Sequence, residues 1–325
     1  MVLGGDELAA VDVARLLSAG ADVTVHATRA CSYVEDLATR GLVTWVRHDA
    51  TLEEVVSADL TLRPRLRSQP RPGGLDEQGA QGQVTLVGGG PGAVGLMTLA
   101  GREAIAEADV VVIDRLAPWE ALTWARSDVQ IVDVAKVPFG RSTSQEEINR
   151  ILVDRALSGQ HVVRLKGGDS FVFDRGHEEL EACREAGVPA RVIPGVTSSI
   201  AVPEAAGIPV THRGLTQGFT VVSGHVPPGH PESTLDYTAL AGCGTTLVLL
   251  MGVGTMEAIT AELCAVGMDP ATPAAVIADG THPHQRVVTG SLASIAEVAH
   301  DAGVRAPAVV VIGEVVSLRR TGRDE

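Results

Sequence analysis

Residues 84–99, VTLVGGGPGAVGLMTL, run a β-branched apolar stretch directly into a glycine-rich turn and then into a helical pattern. The same arrangement returns at 164–176, RLKGGDSFVFDRG. A strand that ends in glycine and leads into a helix is the unit of a parallel α/β sheet. Such sheets bind ligands at the carboxyl ends of their strands. Elsewhere, short valine- and isoleucine-rich runs alternate with alanine-rich helical stretches. Only 3% of the residues are aromatic while 45% are hydrophobic, so the cores must be built from Val, Leu, Ile and Ala. That composition suits layered helix-and-sheet packing rather than a sandwich or propeller.

Three regions separate along the 325 residues. Residues 1–62 read as strand, helix, strand, helix and a third strand, LVTWVRHD, which makes a partial Rossmann-like segment. Leu3, Gly4, Gly5 and Asp6 hold too few glycines for a phosphate turn, and a packing or dimerisation remnant is expected. Residues 63–82 are rich in proline, glycine and charge without apolar periodicity and read as a linker. The body, 83–318, divides into an N-terminal domain, 83–213, and a C-terminal domain, 214–318, with THRGLT at 211–216 as the hinge. Within it SQEEINRILVDRALSG predicts a helix with Ser144 as N-cap, Glu147 as its capping-box partner and Gly159 at its end. TSSIAVPEAAG predicts a short helix broken near Pro203.

The formal charge of −14 argues against nucleic acid and against a membrane surface as partner. No apolar run reaches membrane-spanning length, and MVLGGDELAAVD does not read as a signal peptide. Cys31, Cys183, Cys243 and Cys264 show no CxxC spacing, which fits free thiols in a reducing cytoplasm. The histidines of GHVPPGHP and THPHQ come without a ligand set at structural-site spacing, so no metal is expected.

Written as GPGAVG, Gly90, Gly92 and Gly95 have the spacing of a dinucleotide turn, and Asp114 follows about twenty residues later, where a ribose would be held. Pro91, however, has no N–H and deletes a donor that a pyrophosphate would need. The loop suits close approach to a neutral or cationic ligand better than an anion.

Five stretches in order, VTLVGGGPGAVGLMTLAG, VVVIDRL, LKGGDSFVFDRGHEE, PGVTSSIAVPEAAGIPVTHRG and IADGTHPHQRVV, resemble the tetrapyrrole methylases over residues 83–318. GADVTVHAT in the first region resembles the start of the dehydrogenase–chelatase part of siroheme synthases. The family resemblance implies two α/β domains, the class III methyltransferase fold, with S-adenosyl-L-methionine in the cleft between them, and a homodimer. It implies C-methylation of uroporphyrinogen III at C2 and C7 to precorrin-2, on the way to siroheme or cobalamin. Another precorrin methylase of the cobalamin pathway, or an NAD-dependent precorrin-2 dehydrogenase–chelatase, is the alternative.

Carried over residue by residue, the resemblance puts the cofactor against Pro91, Gly167, Gly168, Asp169, Val172, Thr197, Ser198, Met251 and Gly280. It makes Asp114 the proton acceptor and Lys136 the proton donor. For a substrate with eight carboxylates, Arg115, Lys136, Arg141, Lys166, Arg175, His212 and Arg213 are the candidate cations, with Arg213 at the hinge placed first and Arg115, Arg141 and His212 beside it. The sequence departs from the family pattern in VPFGR after Lys136, in Ser170 for a proline, and in Asp174 and His177 for glycines.

Overall fold

The β-branched runs form strands in the computed structural model, which describes residues 1–62, 82–135 and 143–319. The chain separates into two units, Met1–Val196 and Thr197 onward. The first unit opens with β1 (Val2–Leu3), α1 (Glu7–Ser18), β2 (Thr24–His26), α2 (Ser32–Thr39), β3 (Thr44–Val46) and α3 (Leu52–Ser57). The strands pair in parallel in the order β1-β2-β3, and Leu62 bridges Val2 on the free side of β1. This is half of a nucleotide-binding unit, as expected. Its helix N-terminus is already capped by its own acid: Asp6 accepts from the Ala9 amide at 2.9 Å, where a phosphate would have to sit.

The larger sheet of this unit follows: β4 (Gln83–Gly88), α4 (Leu99–Glu107), β5 (Val110–Ile113), β6 (Gln130–Asp133), α5 (Gln145–Leu157), β7 (His161–Lys166), α6 (Gly176–Glu185) and β8 (Ala190–Ile193). Its five strands are all parallel, in the order β6-β5-β7-β4-β8. Alternation splits each strand between two cores. Val110 and Val112 face α5, packing with Ile148 and Leu152. Val111 and Ile113 face the other way, toward Ile105, Trp119 and Leu122. Ser144 caps α5, accepting from the Glu147 amide at 3.2 Å. The expected capping box is only half formed, because the Glu147 carboxylate bonds Arg150 instead of reaching back. A capping box with both bonds is found at Thr51 and Glu54, opening α3.

The Trp119 face explains what residues 1–62 pack against. Val2, Val13, Val34 and Leu37 share one continuous core with Trp119, Ala121 and Leu122. Tyr33 stacks on Trp119 with ring centroids 5.0 Å apart. Polar ties ring this apolar contact. Ser32 donates through its hydroxyl to Asp133 at 2.5 Å, and the Arg115 guanidinium donates to Asp36 at 2.6 Å. The linker expected over 63–82 lies outside the described residues apart from Gly82.

The second unit holds α7 (Ser198–Ala205), β9 (Phe219–Ser223), α8 (Tyr237–Gly242), β10 (Thr246–Leu250), α9 (Met256–Ala265), β11 (Pro273–Ala278), β12 (Arg286–Ser291), α10 (Ile295–Asp301) and β13 (Ala308–Ile312). Its mixed sheet runs β12-β11-β13-β10-β9, with only β9 and β10 parallel. The units divide at Val196 and Thr197, not at the hinge read near 211–216. The reason is α7, whose Val202 packs with Ala206, Ile208, Val248, Ile277 and Val311 beneath the second sheet. This helix continues through Pro203 rather than breaking there. No helix among the described residues is long and apolar enough to cross a membrane.

Replacing Tyr33 by Ala removes the ring stacked on Trp119. We expect a loss of about 2 kcal/mol or more in unfolding free energy, read as a lower urea midpoint, because aromatic truncations in packed cores cost in this range.

Candidate functional site

Four loops leave the carboxyl edge of the first unit's large sheet, after β4, β5, β7 and β8, and they close on one another through glycines. A Cβ on Gly88 would stand 2.4 Å from the Gly195 amide nitrogen, and one on Gly195 would stand 2.3 Å from the Gly168 carbonyl oxygen. A Cβ on Gly167 would meet the Leu116 carbonyl at 2.8 Å, and one on Gly89 the Pro118 ring at 2.5 Å. Real side chains never approach so closely, so glycine is required at each place. Gly90 and Gly168 also form a two-way bridge: Gly168 donates to Gly90 at 2.6 Å, and Gly90 donates to Gly168 at 3.0 Å. Both hold positive φ, 77° and 65°, which glycine adopts without a steric penalty.

This closure decides the ligand class of the turn. The amides of Gly89, Gly90 and Gly168 already donate to carbonyls of this same layer, and Pro91 has none to give. No row of free N–H donors is left among them to neutralise a pyrophosphate. With these amides engaged, the edge suits a neutral or positively charged group better than a pyrophosphate.

Asp169 acts within the closure. Its Oδ2 accepts from the Gly195 amide at 3.0 Å and its Oδ1 from the Phe171 amide at 2.9 Å. It therefore ties the β7 loop to the β8 loop. Val172 is half-buried beside it, donating its amide to the Asp169 carbonyl at 3.2 Å. The loops at this edge expose Leu116, Phe171, Phe173 and Val196, an apolar surface unusual for loop residues.

Beneath the edge lies a buried ionic cluster that the sequence reading missed, having set Lys166 among the cations for substrate. Arg164 and Lys166, on the α6 face of β7, are 3% and 1% exposed. Glu179 of α6 accepts from Arg164 Nε at 3.1 Å and from Lys166 Nζ at 3.1 Å. Arg164 also lies 3.3 Å from Asp114 Oδ2, and Lys166 lies 3.6 Å from Asp174 Oδ1. Asp114 itself accepts from the Leu116 and Ala117 amides through Oδ1, each at 3.1 Å. Its carboxylate is thus aimed by two amides on one oxygen and a guanidinium on the other. Asp174 is half-buried, with an Oδ2 that is sealed and has no hydrogen-bond partner. Loss of hydration, and next the negative charge of Asp114, push its carboxyl up to about 8. The signal for this cluster was the pair of cations on one face of an otherwise apolar strand.

Other sequence candidates fall as follows. Lys136 and Arg141 lie outside the described residues. Arg115 is paired with the buried Asp36 of the N-terminal segment, and Arg175 is paired with Glu178, so both candidate cations already have an acid partner. In the second unit, Thr197 caps α7 and shares a 3.0 Å hydrogen bond with Ser199, and Ser198 is the half-buried first residue of that helix. Gly280 is buried so tightly on α7 that a Cβ would come within 2.4 Å of Val202. Met251 is no core residue: it is 49% exposed and holds φ at 58°, a strained setting for a non-glycine side chain. His212 and Arg213 are exposed in a turn closed by a bridge from His212 to Thr216.

A closed glycine edge over an ionic underlay, followed by a second mixed-sheet unit, is the setting in which the comparisons with known proteins become informative. Residues 83–296 match the family model for tetrapyrrole (corrin/porphyrin) methylases, and the chain belongs to that family. Among its relatives, the uroporphyrinogen-III C-methyltransferase of Methanocaldococcus jannaschii is 47% identical over 238 residues, 73% of this chain and 98% of that protein. The siroheme synthase of Xylella fastidiosa is 44% identical over 73% of this chain but only 49% of its own length. Among solved structures, uroporphyrin-III C-methyltransferase from Thermus thermophilus, complexed with S-adenyl homocysteine, superposes with a TM-score of 0.62 at 41% identity. That match covers 73% of this chain and 100% of the other.

Gly195→Ala forces a methyl into the Gly88 and Gly168 backbones. It is expected to cost about 1–3 kcal/mol of stability, as overpacking does, and to weaken cofactor binding in calorimetry. A second expectation concerns pH. Because the folded-state value of Asp174 lies above its unfolded value of 3.8, the folded protein holds a proton that the unfolded chain has lost. Stability contributed by that proton falls as pH rises from about 4 to about 8. With Asp114, Glu179, Arg164 and Lys166 left facing the site, Asp174→Asn should flatten the fall in Tm measured between about pH 5 and about pH 8.

Proposed function

We propose that this chain transfers methyl groups from S-adenosyl-L-methionine to carbons C2 and C7 of uroporphyrinogen III, giving precorrin-2 for siroheme or cobalamin synthesis. The observation that carries the reading is the glycine edge whose amides are already engaged. It fits a cationic methyl carrier and does not fit the pyrophosphate of a nicotinamide cofactor. The names of the relatives point the same way.

The cofactor, when bound, supplies an electrophilic methyl group on a positively charged sulfur. In the first unit Pro91, Gly167, Gly168, Asp169 and Val172 would hold it. In the second unit Thr197, Ser198, Met251 and Gly280 would do so. The glycines allow backbone carbonyls to approach the sulfonium, Met251 offers a soft apolar surface, and the hydroxyls of Thr197 and Ser198 offer hydrogen bonds.

The chain's own task is to orient an electron-rich pyrrole carbon, exclude water and remove a proton from the macrocycle after the new C–C bond forms. Asp114 is the base. Two amides fix its Oδ1, so Oδ2 is held in one direction beside Arg164. Lys136 is the assigned proton donor. Substrate carboxylates must find local cations in a protein of net charge −14. With Arg115 engaged by Asp36, Arg213, His212 and Arg141 remain the candidates. We read the working assembly as a homodimer in the cytoplasm.

Mass spectrometry of products from the purified chain, incubated anaerobically with cofactor and uroporphyrinogen III, should show two added methyl groups. Absence of methyl transfer overturns the assignment. Methylation only of a later corrinoid intermediate would move it to another precorrin methylase. Asp114→Ala should lower kcat about 100-fold or more, the range lost with a general base, while calorimetry finds cofactor binding retained.

A further inference from the structure

We propose that His26, His48 and Glu54 bind a first-row divalent metal ion of the zinc class in the N-terminal segment, apart from the methyl-transfer site. One potential ligand atom from each of the three lies within 4.8 Å of the others. Each side chain is prepared in a way that bulk solvation does not explain. His26 ends β2 with its side chain only 4% exposed, and its Nδ1 is sealed without a hydrogen-bond partner, 4.0 Å from Glu54 Oε2. A buried ring nitrogen left unsatisfied calls for an occupant.

His48 has the complementary arrangement. Its Nδ1 lies 2.8 Å from the Asp49 carbonyl oxygen. A carbonyl only accepts, so that nitrogen carries the proton and Nε2 keeps its lone pair for an ion. The Glu54 carboxylate is held by Thr51, whose amide and hydroxyl donate to Oε2 at 2.7 and 2.8 Å. A backbone carbonyl behind one imidazole and a hydroxyl behind the carboxylate are the outer contacts that metal ligands characteristically have.

Two neutral imidazoles and one carboxylate suit zinc and its neighbours, and leave a further coordination position open. Bonds of about 2.1 Å would set the ligand atoms roughly 3.4 Å apart. Closing around an ion therefore requires a small inward swing, which the exposed His48 side chain is free to make. The ion would join three elements: the end of β2, the turn after β3 and the first turn of α3. This helix has no buried residue, and its Leu52 and Val56 are 80% and 76% exposed. A metal bridge supplies the anchorage that its apolar side chains do not. The sequence reading weighed only the histidines of GHVPPGHP and THPHQ for a metal, because these three ligands come from separated stretches, none at a recognisable spacing.

The test uses the full chain after chelation and desalting, titrated with zinc by calorimetry and with cobalt by visible absorption. One equivalent should bind, cobalt should show the intense bands of a low-coordinate site, and Tm should rise by about 3 °C or more at saturating zinc. His48→Ala and Glu54→Gln should each abolish the cobalt bands. Thr51→Ala should weaken zinc about tenfold through the lost outer contact. His300→Ala, at a fully exposed histidine elsewhere, should change nothing, and methyl transfer should persist in every variant. Undiminished zinc binding in both His48→Ala and Glu54→Gln, or no saturable binding by the parent chain, overturns the proposal.

Discussion

Backbone pressed against backbone is the constraint on which the rest of this molecule depends. Gly88, Gly168 and Gly195 touch where any side chain would intrude, and Asp169 locks the contact by accepting from the Gly195 amide. The four loops thereby become one rigid rim, and the rim's hydrogen-bond donors are turned inward. A turn with the spacing of a dinucleotide motif is in this way diverted from anions. Glycine spacing alone would not separate the two outcomes; the destination of each N–H does.

The N-terminal segment shows a related diversion. It has the strand order and helix of a nucleotide-binding half, yet Asp6 occupies the helix terminus, and the face that carries Tyr33 is used to cover Trp119. Burial of that surface gives a short segment, too small to build a stable core alone, a share in a larger one. The same docking gives Arg115 an acid partner, Asp36, across the contact.

Much of this was legible in the residues. Strands such as VVVI and AVVVI are apolar runs, buried but for Ala308, with no competing helical period, and the glycine turns follow from strand ends. The short α3 and α8 were missed because six residues of weak pattern do not announce a helix. The unit boundary was misplaced because THRGLT has turn composition, whereas only three-dimensional packing shows α7 belonging to the second sheet. Asp114 was readable as the acid that ends a buried strand. Its partners Arg164, Glu179 and Asp174 were not, since their pairing crosses a strand, a helix and a loop. The exposure of Met251 with positive φ could come only from coordinates.

Strand β7 carries one last implication. It begins among Val162 and Val163 and finishes among Arg164, Lys166 and their acids, so local polarity climbs along a single extended stretch of chain. The oily half supplies rigidity. The ionic half sets the carboxyl of Asp174, raised by lost hydration, at the rim of the sheet and away from that framework.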